Sequence, residues 1–283
     1  MERYARLRRI LSLDPERDYA EICRLVTRYE FPWDYRVGFQ MSVMTDLLVP
    51  EISRVLAETR NFADAGQKRF DDTMLVEYEM KRCGPDSPHG HDTARVLNNI
   101  HRRYDIPEEH LRYVLTSQTV STIEWINTYG WRALSDQEIR ALVLGARRQG
   151  RLMGITGIPE DYAGFRRALD DLRSRLAAFD PANREVAGAV LAVIVGWFPV
   201  PLRPALRGLV PLAIAALLPP ELIPILGLPR PSRWFTVTVR AAMRARGGLL
   251  RLLPPRPDSR PYRPTPRSYP YGWTIHDFGP DPR

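Results

Sequence analysis

The sequence predicts an all-α protein, and three observations carry that expectation. No stretch of its 283 residues alternates apolar and polar positions over several strands. Helix-start signals recur, as in Asp14-Pro15-Glu16, Ser135-Asp-Gln-Glu138 and Asp180-Pro181. Apolar residues repeat at three- and four-residue spacing, as in Ala94, Leu97, Ile100, His101 and Tyr104.

The elements follow in order. Asp14 caps a first helix, with Pro15 at its first position, where a missing N–H costs nothing. A second is expected over 36–58, bent at Pro50, and a third over 66–82. A fourth runs over 91–104 and must stop before Pro107, which opens a fifth over 107–129. The Ser135/Glu138 capping box starts a sixth, Pro159-Glu160-Asp161 a seventh and Asp180-Pro181 an eighth. Apolar helices are expected at 183–198 and 202–218, and a last one at 231–252. Nine of the 26 prolines fall in 254–283, which should be an extended arm. No Gly/Ser linker or acidic run divides the chain, so one helical domain is expected over 1–253, with the arm of 254–283 packed on it.

Charge and composition exclude several classes. Two cysteines, Cys23 and Cys83, rule out a disulfide framework and a four-cysteine zinc site, and a reduced compartment is the simpler reading. The net charge is +8, and the eleven Arg and three Asp from Arg230 onward account for all of it. Aromatic residues do not interleave regularly with those arginines and no nucleic-acid-binding motif is visible, so no nucleic-acid partner is expected. The first residues carry neither a long apolar segment nor a small-residue cleavage site, which predicts a cytoplasmic protein. Residues 186–202 and 208–220 are uncharged but interrupted by proline, so they are expected to be buried helices. Weak peripheral contact with a membrane is the alternative.

The usual catalytic signatures are absent: no dinucleotide-binding glycine motif, P-loop, Gly-x-Ser-x-Gly, His-Glu-x-x-His or Cys-x-x-Cys. Two places stand out instead. His101 lies on the apolar face of its helix, while Arg95, Arg102 and Arg103 point away from it. By periodicity alone it is either a hydrogen-bonded core residue or a ligand. Arg69 and Thr73, four residues apart, share a face with Val76 and Met80, and a guanidinium there needs a polar partner inside the fold. That partner is a carboxylate from another helix, or a cofactor carboxylate or bound oxygen. His89 and His91 are read as part of a solvated loop without a third metal ligand. The pairs Asp71/Asp72 and Asp170/Asp171 are read as solvated faces.

The order of motifs then becomes informative. Phe31-Pro-Trp-Asp, Pro50, Lys68-Arg69-x-x-x-Thr73 and Arg95-Val96-x-x-x-x-His101 lead. Gly130-Trp131-Arg132, Met153-Gly154-Ile155, Ile158-Pro159, Leu253-Pro-Pro-Arg256 and Tyr269-Pro-Tyr-Gly272 follow. In this order the chain resembles, over roughly residues 15–280, the MpaB and latex-clearing (rubber oxygenase) superfamily, and most of all its MpaB-like branch. The resemblance implies a globin-like helical core around one b-type haem, with peripheral helices added. It implies that His101 is the axial ligand of the haem iron and that Arg69 and Thr73 form the distal pair. It further implies a small lipophilic, isoprenoid-like substrate whose carbon–carbon double bond is oxidised or cleaved with dioxygen. The rubber-cleaving branch carries a lysine immediately before that threonine; here the residue is Asp72, a candidate proton shuttle. The alternative class is a haem-binding or lipid-interacting sensor or carrier without turnover.

Overall fold

The computed structural model describes residues 2–280, so Met1 and the last three residues of the arm lie outside the described residues. Twelve α-helices and no strand occur among the described residues. They are α1 (Ala5–Leu11), α2 (Pro15–Leu25), α3 (Pro32–Asp46), α4 (Pro50–Glu58), α5 (Asn61–Cys83) and α6 (Pro88–His101). After these come α7 (Glu108–Tyr129), α8 (Asp136–Leu152), α9 (Tyr162–Leu176), α10 (Pro181–Gly196), α11 (Arg203–Leu217) and α12 (Arg233–Leu252).

Helix α7 is the axis of the main core. It is buried on more than one side, through Tyr113, Leu115, Val120, Ile123 and Ile126, and packs along α3, α8 and α9. Its buried hydroxyls are satisfied locally: Thr116 donates to the Arg112 carbonyl at 2.9 Å. Gly38 lets α3 approach α7 closely, because a Cβ there would lie 2.9 Å from the Thr122 Cα. A chain of buried charges closes one end. Glu30 accepts from Arg6 at 2.9 Å and Arg132 at 3.0 Å, and Arg132 also reaches Glu138 at 2.7 Å. A second apolar cluster joins the end of α3 (Met44, Leu47, Leu48) and Phe62 to Val186 and Val190 of α10. A third, small one puts Leu75 and Val76 of α5 under Ile275 and Phe278 of the arm.

Several boundaries differ from the sequence expectation, each for a physical reason. The helix expected over 36–58 is two helices. Val49 is extended (φ −90°, ψ 113°), as a residue before proline prefers, and Pro50 opens α4 instead of bending a continuous helix. The helix expected over 91–104 begins at Pro88 and ends at His101. Ser87 caps it by accepting from the Gly90 N–H at 2.9 Å, so His89 and His91 stand in its first turns and not in a loop. The separate helices expected at Asp180-Pro181 and 183–198 are one, α10. Helix α5 starts five residues early, at Asn61, with a kink at Ala65. Helix α1 was not expected at all.

The larger correction concerns the two uncharged runs. The first is half inside, with Val186, Val190 and Val195 of α10 buried. The second is half-buried along most of its length, with Ala215, Ala216 and Leu218 buried, but the segment Val200–Leu217 that contains most of it is only 17% buried, its exposed residues lying before 210. By length and composition alone that segment is apolar enough to cross a membrane.

The arm is extended as expected and lies on α5 and its neighbours. Tyr262 donates its N–H to the Arg28 carbonyl at 2.9 Å, and Trp273 donates its indole N–H to Glu79 at 3.0 Å. It also covers Asp71 and Asp72, which are buried and not solvated. Asp71 accepts from Gln67 at 3.0 Å and from the Ser268 N–H at 2.9 Å.

Candidate functional site

A cavity of about 430 Å³ lies between α5, α6 and α7, under the arm and the end of α3. Most of its wall is apolar, and four sequence-predicted residues meet on it: Arg69, Asp72, Thr73 and His101. The capped start of α6 and its fourteen-residue length place His101 at the last helical position, with its ring turned to the cavity. Its Nδ1 is buried without a hydrogen-bond partner. Burial first, and the nearby Arg69 charge second, push its pKa down from 6.5 to about 4, so the imidazole is neutral at physiological pH. A neutral imidazole on the wall of a roomy cavity is a metal ligand in waiting.

Arg69 sits across α5 on the same cavity. The sequence leaves open a protein carboxylate or another anion as its partner. Among the described residues Arg69 forms no ion pair. Its guanidinium donates to the Thr73 hydroxyl and stacks 5.6 Å from the Phe62 ring, while Thr73 donates to the Arg69 carbonyl at 2.9 Å. Burial depresses its pKa, with the Asp72 charge opposing. A half-buried, desolvated cation without an ion-pair partner among the described residues, near an orphaned imidazole nitrogen, suits a group that brings a metal and a carboxylate together. The residues present therefore fit a haem: His101 for the iron, Arg69 and Thr73 for a propionate or for an oxygen ligand.

Asp72 reaches the cavity but is otherwise engaged. Its Oδ2 accepts from Lys68 at 3.1 Å and from the Gly279 N–H at 3.1 Å, and its Oδ1 from the Tyr269 hydroxyl. It clamps the arm over the site. Asp72→Ala should loosen residues 268–280 and cost about 1–3 kcal/mol, since a buried network loses its acceptor. Limited proteolysis and the melting temperature check this; an arm as protected as in the wild type would dismiss the clamp.

The structure adds residues that periodicity did not single out. His110, buried in the first turn of α7, is a second histidine on the cavity wall. Asp46, the last residue of α3, is buried there too. Its Oδ1 has no partner, and burial raises its pKa well above the carboxylate range, with Ser117, Gln118 and Arg173 opposing. A signal for it was present, because Asp46 is the one acid in the otherwise uncharged stretch 37–50. His89 does have further donors close by: its Nε2, a Glu79 oxygen and the Cys83 sulfur lie within 4.8 Å of one another. There the Arg82 guanidinium already holds Glu79 at 2.9 Å, and His89 pairs with the same oxygen at 2.9 Å, so the cluster is satisfied as an ion network.

Comparison with known proteins follows the same line. The model of the family described as ER-bound oxygenase mpaB/B'/rubber oxygenase, catalytic domain, matches residues 35–247. The chain belongs to this family. The match contains Arg69, Asp72, Thr73 and His101, whereas Phe31-Pro-Trp-Asp lies wholly before it and the motifs of the arm lie beyond it. Among relatives, the chain is 26% identical over 197 residues to the ER-bound oxygenase mpaB' of Penicillium brevicompactum, covering 63% of this chain and 47% of that protein. It is 25% identical over 188 residues to the ER-bound oxygenase mpaB of the same organism, covering 60% and 48%. For the ER-bound oxygenase mpaB of Penicillium roqueforti (strain FM164) the figures are 25% over 202 residues, 65% and 68%. The chain thus spans about half the length of the first two relatives.

Proposed function

We propose that this chain is a haem b-dependent oxygenase that oxidises or cleaves a carbon–carbon double bond of a lipophilic, isoprenoid-like substrate with dioxygen. The observation that carries the reading is the meeting of an unpartnered neutral imidazole and a half-buried, ion-pair-free guanidinium on one largely apolar cavity. When bound, haem iron supplies the activation of dioxygen that no side chain can perform.

The chain's own residues do the rest. His101 holds the iron, and its depressed basicity keeps the ring available as a ligand across the physiological pH range. Arg69 provides a charge-assisted donor for an anionic oxygen, and Thr73 fixes the guanidinium's direction. Phe39, Val43, Val76, Leu97 and Met153 give the substrate an apolar, water-poor surface. Asp72 acts as a positioning residue through the arm: holding Gly279 and Tyr269 in place keeps the roof closed over the site. This replaces the proton-shuttle role as its main contribution.

In a double-bond cleavage both atoms of dioxygen end in two carbonyl groups, so no external reductant is needed. Oxygen uptake by the haem-loaded protein with unsaturated isoprenoid lipids tests the reading. The expected result is uptake matched by carbonyl product, and none with the saturated analogues. A haem-loaded protein that consumes no oxygen with any of them would favour the sensor or carrier class.

A further inference from the structure

The last long helix is apolar on its outward side as well as on the side that packs against the protein. On α12 the residues Trp234, Val237, Ala241, Ala245, Leu249 and Leu252 recur at three- and four-residue spacing and form one stripe. That stripe faces solvent: Trp234 is 75% exposed, Val237 61%, Leu249 64% and Leu252 81%. The inward side carries half-buried Phe235, Val239, Met243 and Leu250, the last packed on the main core, and is pinned by polar anchors as well. Arg240 donates to the carbonyls of Ala216 at 2.8 Å and Leu218 at 3.1 Å, and Arg246 pairs with Asp34 at 2.8 Å. Gly247 lets the helix lie against the Tyr129 and Gly130 backbone, where a Cβ would come within 2.6 Å. The helix is therefore docked firmly, and it still leaves a second apolar stripe outward.

The surroundings extend the same surface. Phe198, Val200, Leu202 and Leu209, just before and along α11, are also exposed, and α11 packs beside α12. Nine of the twelve large exposed hydrophobic residues among the described residues fall between 198 and 253, so this is a patch and not scatter. One flank of the stripe is basic. Arg233, Arg244 and Arg251 lie on it and are exposed, and residues 222–257 hold seven Arg and no Asp or Glu.

We propose that this face, the outer stripe of α12 with the first half of α11, docks the protein in the plane of an anionic lipid bilayer. An apolar stripe with a cationic flank is what an interfacial helix needs: side chains for the acyl boundary and arginines for the lipid phosphates. A spanning segment fits less well. Val200–Leu217 would have to carry Arg203 and Arg207 into the hydrocarbon, and Pro211 interrupts it. A second copy of the chain fits less well too. A self-contact across this face sets arginines against arginines, with no acidic residue in 222–257 to offset them. The proposal goes beyond the oxygenase reading and does not depend on it, since neither helix lines the cavity.

The test is sedimentation of the purified full chain with vesicles of phosphatidylcholine alone or mixed with phosphatidylserine. Binding to the mixed vesicles is expected, weakening between about 0.1 M and about 1 M salt as the Debye length shrinks. Two variant sets separate the contributions. Trp234→Asp with Leu252→Asp should lower the partition coefficient at least about tenfold, because two anchoring side chains lose their apolar burial. Arg233→Gln with Arg244→Gln and Arg251→Gln should remove most of the salt dependence. These side chains are exposed, so unchanged circular dichroism and melting are expected for both sets. No sedimentation at low salt overturns the proposal. So does salt-sensitive binding that Trp234→Asp with Leu252→Asp leaves intact, which would mark a purely electrostatic contact that does not use the stripe. A concentration-dependent dimer abolished by those substitutions, without vesicle binding, assigns the face to a second copy and overturns it as well.

Discussion

His101→Ala is expected to strip most of the haem from the protein and abolish its Soret band, while His89→Ala, His91→Ala and His110→Ala leave both in place. The four histidines differ in what surrounds them. The ring of His89 is held by Glu79, and His91 is exposed on the first turns of α6. His110 lines the cavity, but it lies outside the family motif. Only His101 combines a cavity-facing ring, an unpartnered buried nitrogen and a position within the Arg95-to-His101 motif. Losing an axial ligand removes the main protein–iron bond. Hydrophobic contact and Arg69 then hold the haem weakly, and a spectrum restored by added imidazole would confirm that the defect is local. Unchanged haem content in the variant would move the ligand to His110.

Arg69→Met is expected to act with opposite sign on the haem-free and the haem-loaded protein. Without haem, a desolvated guanidinium that lacks a carboxylate is a burden, so its replacement by an apolar side chain of similar length should leave stability unchanged or raise it by about 1 kcal/mol. With haem, the charge-assisted bond to a propionate or an oxygen ligand is lost, and haem affinity or oxygen uptake should fall by about 10- to 100-fold. Thr73→Val should give a weaker version, because it frees the guanidinium without removing it. Melting temperatures with and without haem, together with haem titration, check the pair of signs. A large destabilisation of the haem-free protein would mean that Arg69 serves the fold and not the site.

Much of the helical layout was legible because its signals are local. The Ser135/Glu138 capping box forms as the spacing requires, with the Ser135 N–H donating to Glu138 at 2.8 Å. The meeting of His101 with Arg69 and Thr73 followed from two amphipathic faces that had to point inward. What escaped was set by tertiary partners. Helix α1 carries no start signal, and it is tied to the fold by Arg6, whose partners Glu30 and Asp258 lie 24 and 252 residues away. Asp71 and Asp72 read as solvated because the arm that covers them returns nearly 200 residues later. Hydropathy favoured the interior for residues 208–220 and carries no sign of which interior. The exposed side of α11 and α12 looks the same in sequence whether protein or lipid covers it.

The account stands on one cofactor, so the most direct measurement is the absorption spectrum of the full chain expressed with a supply of haem and purified to constant composition. The expected result is a Soret band with about one haem per chain, shifting on reduction and on addition of an axial ligand, as an accessible iron held by one imidazole requires. A protein that folds, gives the helical circular dichroism signal and shows no Soret band under those conditions would contradict the central claim, whatever else the cavity holds.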